Sequence, residues 1–139
     1  MRIIKTLLCL LIAAFFLMAA WSHFAHDDSF ARIVPPALPF PYFIVWFTGI
    51  IEAVLAVMIV WPRTRPWAGL IFAPFLLAVL PANIYMAIEG IGFGDNDMSK
   101  TALWIRVALQ FPLIALIYWA SGAHTAFKSL RHRLSKHAR

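Results

Sequence analysis

Four long runs of apolar residues are the feature of this sequence that most limits its fold. They cover about residues 3–24, 42–61, 67–88 and 101–121 and are separated by short polar segments. A helix of about 20 residues spans the roughly 30 Å hydrocarbon core of a bilayer. The chain is 63% hydrophobic and 13% charged, whereas a soluble domain is typically about 25% charged. We therefore predict an all-α membrane protein with four transmembrane helices.

The connections between the runs predict how the helices are arranged. Residues 62–66 form a short turn between the second and third runs, which makes those two helices antiparallel neighbours. The first connection, residues 26–41, contains four prolines and is predicted to be extended rather than helical. The second polar loop, residues 89–100, is rich in Gly and Asp. We expect an antiparallel four-helix bundle in residues 1–122, followed by a basic cytoplasmic tail in residues 123–139.

The placement of basic residues predicts the orientation in the membrane. One predicted side carries Arg2, Lys5, Arg63, Arg65, Lys128, Arg131, Arg133, Lys136 and Arg139. The opposite loops carry only Arg32 and Lys100. Because cytoplasmic segments are enriched in Lys and Arg, we place both termini in the cytoplasm of a cell with the chain in its inner or plasma membrane. The first run is predicted to be a retained span rather than a cleaved signal peptide.

The tail combines apolar and basic residues at helical spacing. Phe127, Leu130 and Leu134 recur at intervals of three and four residues, with basic residues around them. A helix of this kind lies along an anionic membrane surface, and a solvated tail that only sets topology is the alternative. The net charge of +6 does not indicate nucleic-acid binding, because the basic residues do not interleave with aromatic residues in a soluble segment.

Several polar side chains fall inside the apolar runs, where they are costly and commonly functional. Counted from the outer end of each span at about 1.5 Å per residue, Glu52 lies ~15 Å deep, Gln110 ~14 Å, and Arg106 ~8 Å. The polar groups therefore concentrate in the outer half of the bilayer and predict a pocket that opens outward between spans 2, 3 and 4. The candidate site residues are Glu52, Arg106, Asn83, Gln110, Thr48 and, at the rim, His23.

The chemistry of these residues favours proton handling and the binding of oxygen atoms. Glu52 is the candidate catalytic carboxyl, and Arg106 can reach a carboxylate, a quinone carbonyl or an anionic substrate. The alternative is that the polar groups only bond one another and fix the helix register. His23, His26 and Asp27 are too weak a set to indicate a metal site, and the single cysteine, Cys9, excludes an internal disulfide.

Several stretches resemble the DoxX-like membrane proteins. The most specific are Gly49-Ile50-Ile51-Glu52 and Leu80-Pro81-Ala82-Asn83-Ile84-Tyr85-Met86, and the resemblance covers roughly residues 15–90. It implies a four-helix membrane bundle and a link to redox chemistry, since the family's namesakes are subunits of quinone-reducing sulfur oxidoreductases and membrane redox complexes. The family's polar signature falls on His23, Glu52 and Asn83. With only Cys9, the chain departs from the thiol-active relatives.

Together these observations predict a quinone- or lipophile-binding subunit of a membrane redox system. No intrinsic cofactor is evident, and quinone is the candidate ligand. The expected partners are the lipid bilayer, a redox partner protein and a second copy of the chain. Two alternatives stay open: a non-catalytic assembly subunit of a membrane complex, and a small proton-coupled transporter. Whether the protein is an enzyme is not decided by the sequence.

Overall fold

The structure is a computed structural model that describes residues 1–92 and 98–137. In these residues the chain forms the helices α1 (Arg2–Ala25), α2 (Asp27–Ala31), α3 (Pro41–Val60), α4 (Arg65–Glu89), α5 (Lys100–Ser121) and α6 (Ala123–His137). Helices α1, α3, α4 and α5 are each long and apolar enough to cross a membrane. The prediction of an all-helical chain with four helices long and apolar enough to span a membrane is confirmed in the described residues. Residues 93–97 of the predicted second loop and residues 138–139 of the tail lie outside the described residues.

The four long helices contact one another along their sides and leave much apolar surface exposed. Helix α1 contacts α3 and α5, and α4 also contacts both. One buried cluster is built around Phe16, Ile59 and Phe72, and a second around Met86 and Leu103. Only 22–33% of the most apolar stretch of each long helix is buried. So large an exposed apolar surface is favourable in a bilayer, where lipid chains rather than water contact it.

The connection between α1 and α3 differs from the extended segment predicted from its prolines. Its first part forms the short helix α2, which ends before the first proline, Pro35. A proline restricts its own residue and the one before it, so the prediction was wrong for the residues upstream. The Tyr42 hydroxyl donates to Asp28 (2.7 Å) and the Trp46 indole to Asp27 (3.3 Å). These bonds hold α2 against the start of α3.

Arg65 joins three helices at the start of α4. Its guanidinium donates to the carbonyls of Ile59 and Val60, each at 3.0 Å, and to the hydroxyl of Thr6 at 3.2 Å. The two carbonyls belong to the last turn of α3, where helical carbonyls have no intrahelical donor. Arg65 therefore supplies these missing donors and connects the end of α3 to the start of α1.

The predicted tail is helical as α6. Gly122 has φ 74°, the left-handed conformation that glycine adopts without strain, and it separates α5 from α6. Ala123 and Ala126 are buried, and α6 contacts α4 and α5. Phe127 and Leu134 are exposed. The first turn of α6 is thus packed on the long helices, while its apolar residues further along remain accessible.

Candidate functional site

A cavity of about 1150 Å³ lies between the long helices, with α2 forming part of its wall. Ligand sites for small molecules are commonly about 300–1000 Å³, so this cavity is large enough for a bulky lipophile. The predicted pocket was assigned to spans 2, 3 and 4, whereas α1 and α2 also line it. All six predicted site residues lie on its walls: His23, Thr48, Glu52, Asn83, Arg106 and Gln110.

An ionisable pair from two helices lies on the cavity wall. His23 Nε2 of α1 is 3.4 Å from Glu52 Oε2 of α3, and the two side chains are only 13% and 11% exposed. The Phe30 ring of α2 lies beside the imidazole, with 4.2 Å between the ring centroids. The pair is therefore enclosed by apolar surroundings, in which its interaction is stronger than in water.

The backbone fixes which nitrogen of His23 carries a hydrogen. His23 Nδ1 is 2.9 Å from the carbonyl oxygen of Val45, and because a carbonyl only accepts, Nδ1 must donate. In the neutral ring, Nε2 is then a bare acceptor facing Glu52. A protonated Glu52 can donate to Nε2, or an imidazolium can donate to the carboxylate. In both arrangements one proton lies between the two side chains.

The Glu52 oxygen that lies nearest His23 has no hydrogen bond of normal geometry. Oε2 is buried and makes no hydrogen bond with any atom in the described part of the chain. Buried polar atoms are normally bonded, and leaving one unbonded costs about 1–3 kcal/mol. Since Glu52 lines the cavity, its carboxyl is the acidic group that the described wall offers to a ligand.

Two amide side chains link α4 to α5 on another part of the wall. Asn83 Nδ2 donates to Gln110 Oε1 at 2.9 Å, and Gln110 Nε2 donates to the carbonyl of Leu76. That carbonyl lies next to the one at Leu77, whose helical donor is removed by Pro81. The two amides therefore connect α5 to the backbone and a side chain of α4 and fix the two helices relative to each other.

Arg106 and Thr48 lie one helical turn from the other polar residues on their helices. Arg106 is half-buried on the cavity wall and precedes Gln110 by four residues on α5. The Thr48 hydroxyl donates to the Ile44 carbonyl at 2.8 Å and lies 3.3 Å from His23 Nδ1. Spacing of i, i+4 puts such pairs on one helix face. The cavity thus receives a cationic donor from α5 and a hydroxyl from α3.

Comparison with known proteins identifies a family but no activity. Residues 12–121 match the family described as Domain of unknown function (DUF8561). The chain belongs to this family. The matched range contains every residue of the cavity wall described above and leaves out α6. No curated protein and no solved structure matches the chain.

In this DUF8561 chain, His23 lies beside Glu52 because α1 is displaced along its axis relative to α3. A Cβ built on Gly49 would lie 2.8 Å from His23 Cβ and 3.3 Å from the Phe24 ring. Gly49 is eight residues into α3, ~12 Å along its axis, whereas His23 is two residues from the end of α1. The depths predicted from the sequence assumed that all helices end at the same level in the membrane, which placed His23 at the rim of the pocket. It lies instead against Glu52.

The weak histidine cluster of the DUF8561 chain does not form a metal-binding group. Within residues 1–92 and 98–137 no three His, Cys, Asp or Glu side chains come together as metal ligands. His26 lines the cavity, while an Asp27 oxygen accepts from the Trp46 indole. Cys9 is fully buried in the core around Phe16. His26, Asp27 and Cys9 therefore lie in three different environments.

Proposed function

We propose that this DUF8561 protein binds a quinone or a related lipophile in the cavity and handles a proton there as a membrane subunit of a redox system. The observation that carries the proposal is the Glu52 carboxyl on the wall of a cavity of about 1150 Å³, with its Oε2 3.4 Å from His23 Nε2. A quinone presents carbonyl oxygens on an apolar ring, which suits a mostly apolar wall with few polar groups.

The residues on the wall fit such a ligand. A bound quinone would supply a lipid-soluble, redox-active group. Glu52 in its protonated form donates to a carbonyl oxygen, and His23 holds or returns the proton because its Nδ1 is committed to Val45. Arg106 and the amides of Asn83 and Gln110 supply further N–H donors on the same walls.

We place the four long helices as an antiparallel bundle across the inner or plasma membrane, with both termini cytoplasmic. Contacts at one end support alternating directions: Arg65, at the start of α4, bonds Thr6 near the start of α1. Lys5 donates to the carbonyl of Trp119 near the end of α5 at 3.0 Å. The basic residues near this end favour the cytoplasmic side, so the cavity opens away from the cytoplasm.

The link to redox chemistry rests on the resemblance to DoxX-like proteins, which we retain as a proposal. The polar signature that it implies, His23, Glu52 and Asn83, lines the same cavity. Electrons would come from a redox partner protein, since the chain itself offers only the buried Cys9. We also propose the bilayer and a second copy of the chain as partners.

Ligand titration tests the proposal directly. Purified protein in lipid nanodiscs is titrated with a decyl-substituted benzoquinone, and binding is followed by quenching of tryptophan fluorescence. Glu52→Met keeps the length of the side chain but removes its hydrogen bonds, so we expect the affinity to fall at least tenfold, ~1.4 kcal/mol. Glu89→Met is the matched control, because Glu89 is exposed at the end of α4 and does not line the cavity.

Proton handling is tested separately from binding. Glu52→Gln preserves shape and hydrogen bonding but holds no exchangeable acid proton. We expect Glu52→Gln to retain quinone binding within about threefold of the parent protein. Added dithionite supplies the two electrons, and the bound quinone takes up two protons to form the quinol; we expect this reduction to be at least about tenfold slower in Glu52→Gln. Absence of any quinone binding by the parent protein, or an equal reduction rate in Glu52→Gln, would contradict the proposal.

A non-catalytic assembly subunit is the second candidate function. It is favoured by the bonds from Asn83 to Gln110 and from Gln110 to the Leu76 carbonyl, which connect α4 and α5 without any ligand. On this alternative the polar residues fix helix packing only. Co-purification of a stable membrane partner that is lost in Gln110→Leu, together with no ligand binding, would support it over quinone binding.

A further inference from the structure

A smaller groove lies beside the cavity, between α1 and α5. It has a volume of about 410 Å³ and is lined by Phe15 of α1 and by Leu109, Pro112, Leu113 and Leu116 of α5. Every one of these side chains is apolar. From Leu109 to Leu116 the groove follows about two turns of α5, ~10 Å along the helix axis.

The groove and the cavity share part of their walls. Phe15, Leu109 and Leu113 line both of them. Helix α1 packs far less extensively on α5 than on α3, so the groove follows the seam at which the long helices close least tightly. The polar residues lie on the cavity side of this seam, and only apolar side chains lie on the groove side.

The groove faces the surroundings of the protein rather than its core. Phe15 and Leu109 are 52% and 57% exposed, and both belong to span-length apolar helices. In a bilayer such side chains contact lipid chains. At this seam the shared side chains of Phe15, Leu109 and Leu113 lie between the hydrocarbon core and the cavity that Glu52 lines.

We propose that the cavity ligand is an amphiphile whose long apolar chain leaves the cavity through the seam between α1 and α5 and lies in this groove. The ligand then enters sideways from the bilayer, with its oxygen-bearing head directed to Glu52 and Gln110. This inference rests on the proposed binding of a lipophile in the same cavity. It adds that the apolar chain is part of what the protein recognises.

A blocking substitution tests this inference by comparing two ligands. The probes are 2,3-dimethoxy-5-methyl-benzoquinone without and with a decyl chain, and the readout is the affinity of the variant relative to the parent protein for each probe. Because variant and parent are compared with the same probe, the different partitioning of the two probes into lipid does not affect this ratio. Leu116 lines the groove but not the cavity. Leu116→Trp fills the groove, so we expect at least a tenfold loss of affinity for the decyl compound and less than a twofold loss for the short one, about 0.4 kcal/mol.

Leu77→Trp is the matched control. Leu77 is 50% exposed on the apolar surface of α4 and lines neither the cavity nor the groove. We expect this variant to bind both probes like the parent protein. Leu116→Phe, a smaller enlargement at the same position, provides a second blocking variant if Leu116→Trp does not fold.

A photoreactive fatty acid with a diazirine in its chain gives a readout that does not require a quinone head. We expect it to label α5 between residues 109 and 116 in the parent protein and in Leu77→Trp, and to lose this labelling in Leu116→Trp. If both quinones bind but neither the affinity ratio nor the labelling depends on Leu116, the inference is overturned while the proposed function stands.

The opposite pattern separates the two proposals. If no quinone binds, yet the fatty acid labels the groove and Leu116→Trp removes the label, the groove binds an apolar chain and quinone binding is wrong. If Leu116→Trp converts a dimer to a monomer in native mass spectrometry and the fatty acid does not label the groove, the groove is a contact between two copies. That result also overturns the inference.

Discussion

Replacing Glu52 by methionine should stabilise the protein while it removes ligand binding. The Oε2 oxygen of Glu52 is buried without a hydrogen bond to the described residues, a state that costs about 1–3 kcal/mol. Methionine has a similar length and no group that needs a hydrogen bond, and its flexible chain suits an apolar wall. The substitution therefore removes a destabilising atom from the folded state.

The loss of the contact with His23 offsets only part of this gain. The separation of His23 Nε2 and Glu52 Oε2 is 3.4 Å, longer than the roughly 2.7–3.2 Å of a good N–H···O hydrogen bond. A normal hydrogen bond contributes about 0.5–1.5 kcal/mol, and this contact contributes less. We therefore expect Glu52→Met to raise the free energy of unfolding by about 1 kcal/mol.

The assay is reversible unfolding of purified protein in mixed micelles of mild detergent and dodecyl sulfate, followed by far-ultraviolet circular dichroism. Glu89→Met, at an exposed site, should leave the unfolding free energy within about 0.5 kcal/mol of the parent. If the His23–Glu52 pair were mainly structural, breaking it would destabilise the protein by roughly 3–5 kcal/mol. A loss of that size in Glu52→Met would refute the reasoning.

Three further predictions concern packing and orientation. Gly49→Ala should destabilise the protein by about 1–3 kcal/mol in the same unfolding assay, because the added Cβ would lie 2.8 Å from the Cβ of His23. An unchanged free energy of unfolding would mean that α1 and α3 are not in close contact. Arg65→Ala should cost about 2–4 kcal/mol for three lost hydrogen bonds, whereas exposed Arg63→Ala should cost under ~0.5 kcal/mol; equal costs would contradict the described contacts. In whole cells an impermeant thiol reagent should label Ala37→Cys but not Ser135→Cys, since only the first lies in a predicted outer loop; the reverse pattern would invert the proposed topology.

The length and polarity of the apolar runs were enough to predict the four long helices. Their lengths follow directly from bilayer thickness, and the structure contains helices at the corresponding positions. The five-residue helix α2 was missed because the prolines from Pro35 onward dominated the interpretation of the whole connection. Its own residues, Asp27 and Asp28 in the first turn, carried the signal.

The composition of the candidate site could be predicted, but its pairing could not. Polar residues inside an apolar run are few, so Glu52, Asn83 and Gln110 were recognisable one by one. The partner of Glu52 depends on how far α1 is displaced along α3, and a sequence gives no such offset directly. Gly49 contained the relevant information, since a residue without Cβ permits the close approach of His23.

Native mass spectrometry of the protein extracted from its own membrane is the most direct test of the central claim that the cavity binds a lipophile at Glu52. We expect a bound small molecule on the parent protein and on Glu89→Met. Fragmentation of the released molecule should show an oxygen-bearing head on an apolar chain. The adduct should be absent from Glu52→Met. An adduct of equal abundance on all three proteins, or no adduct on the parent protein, would contradict the account.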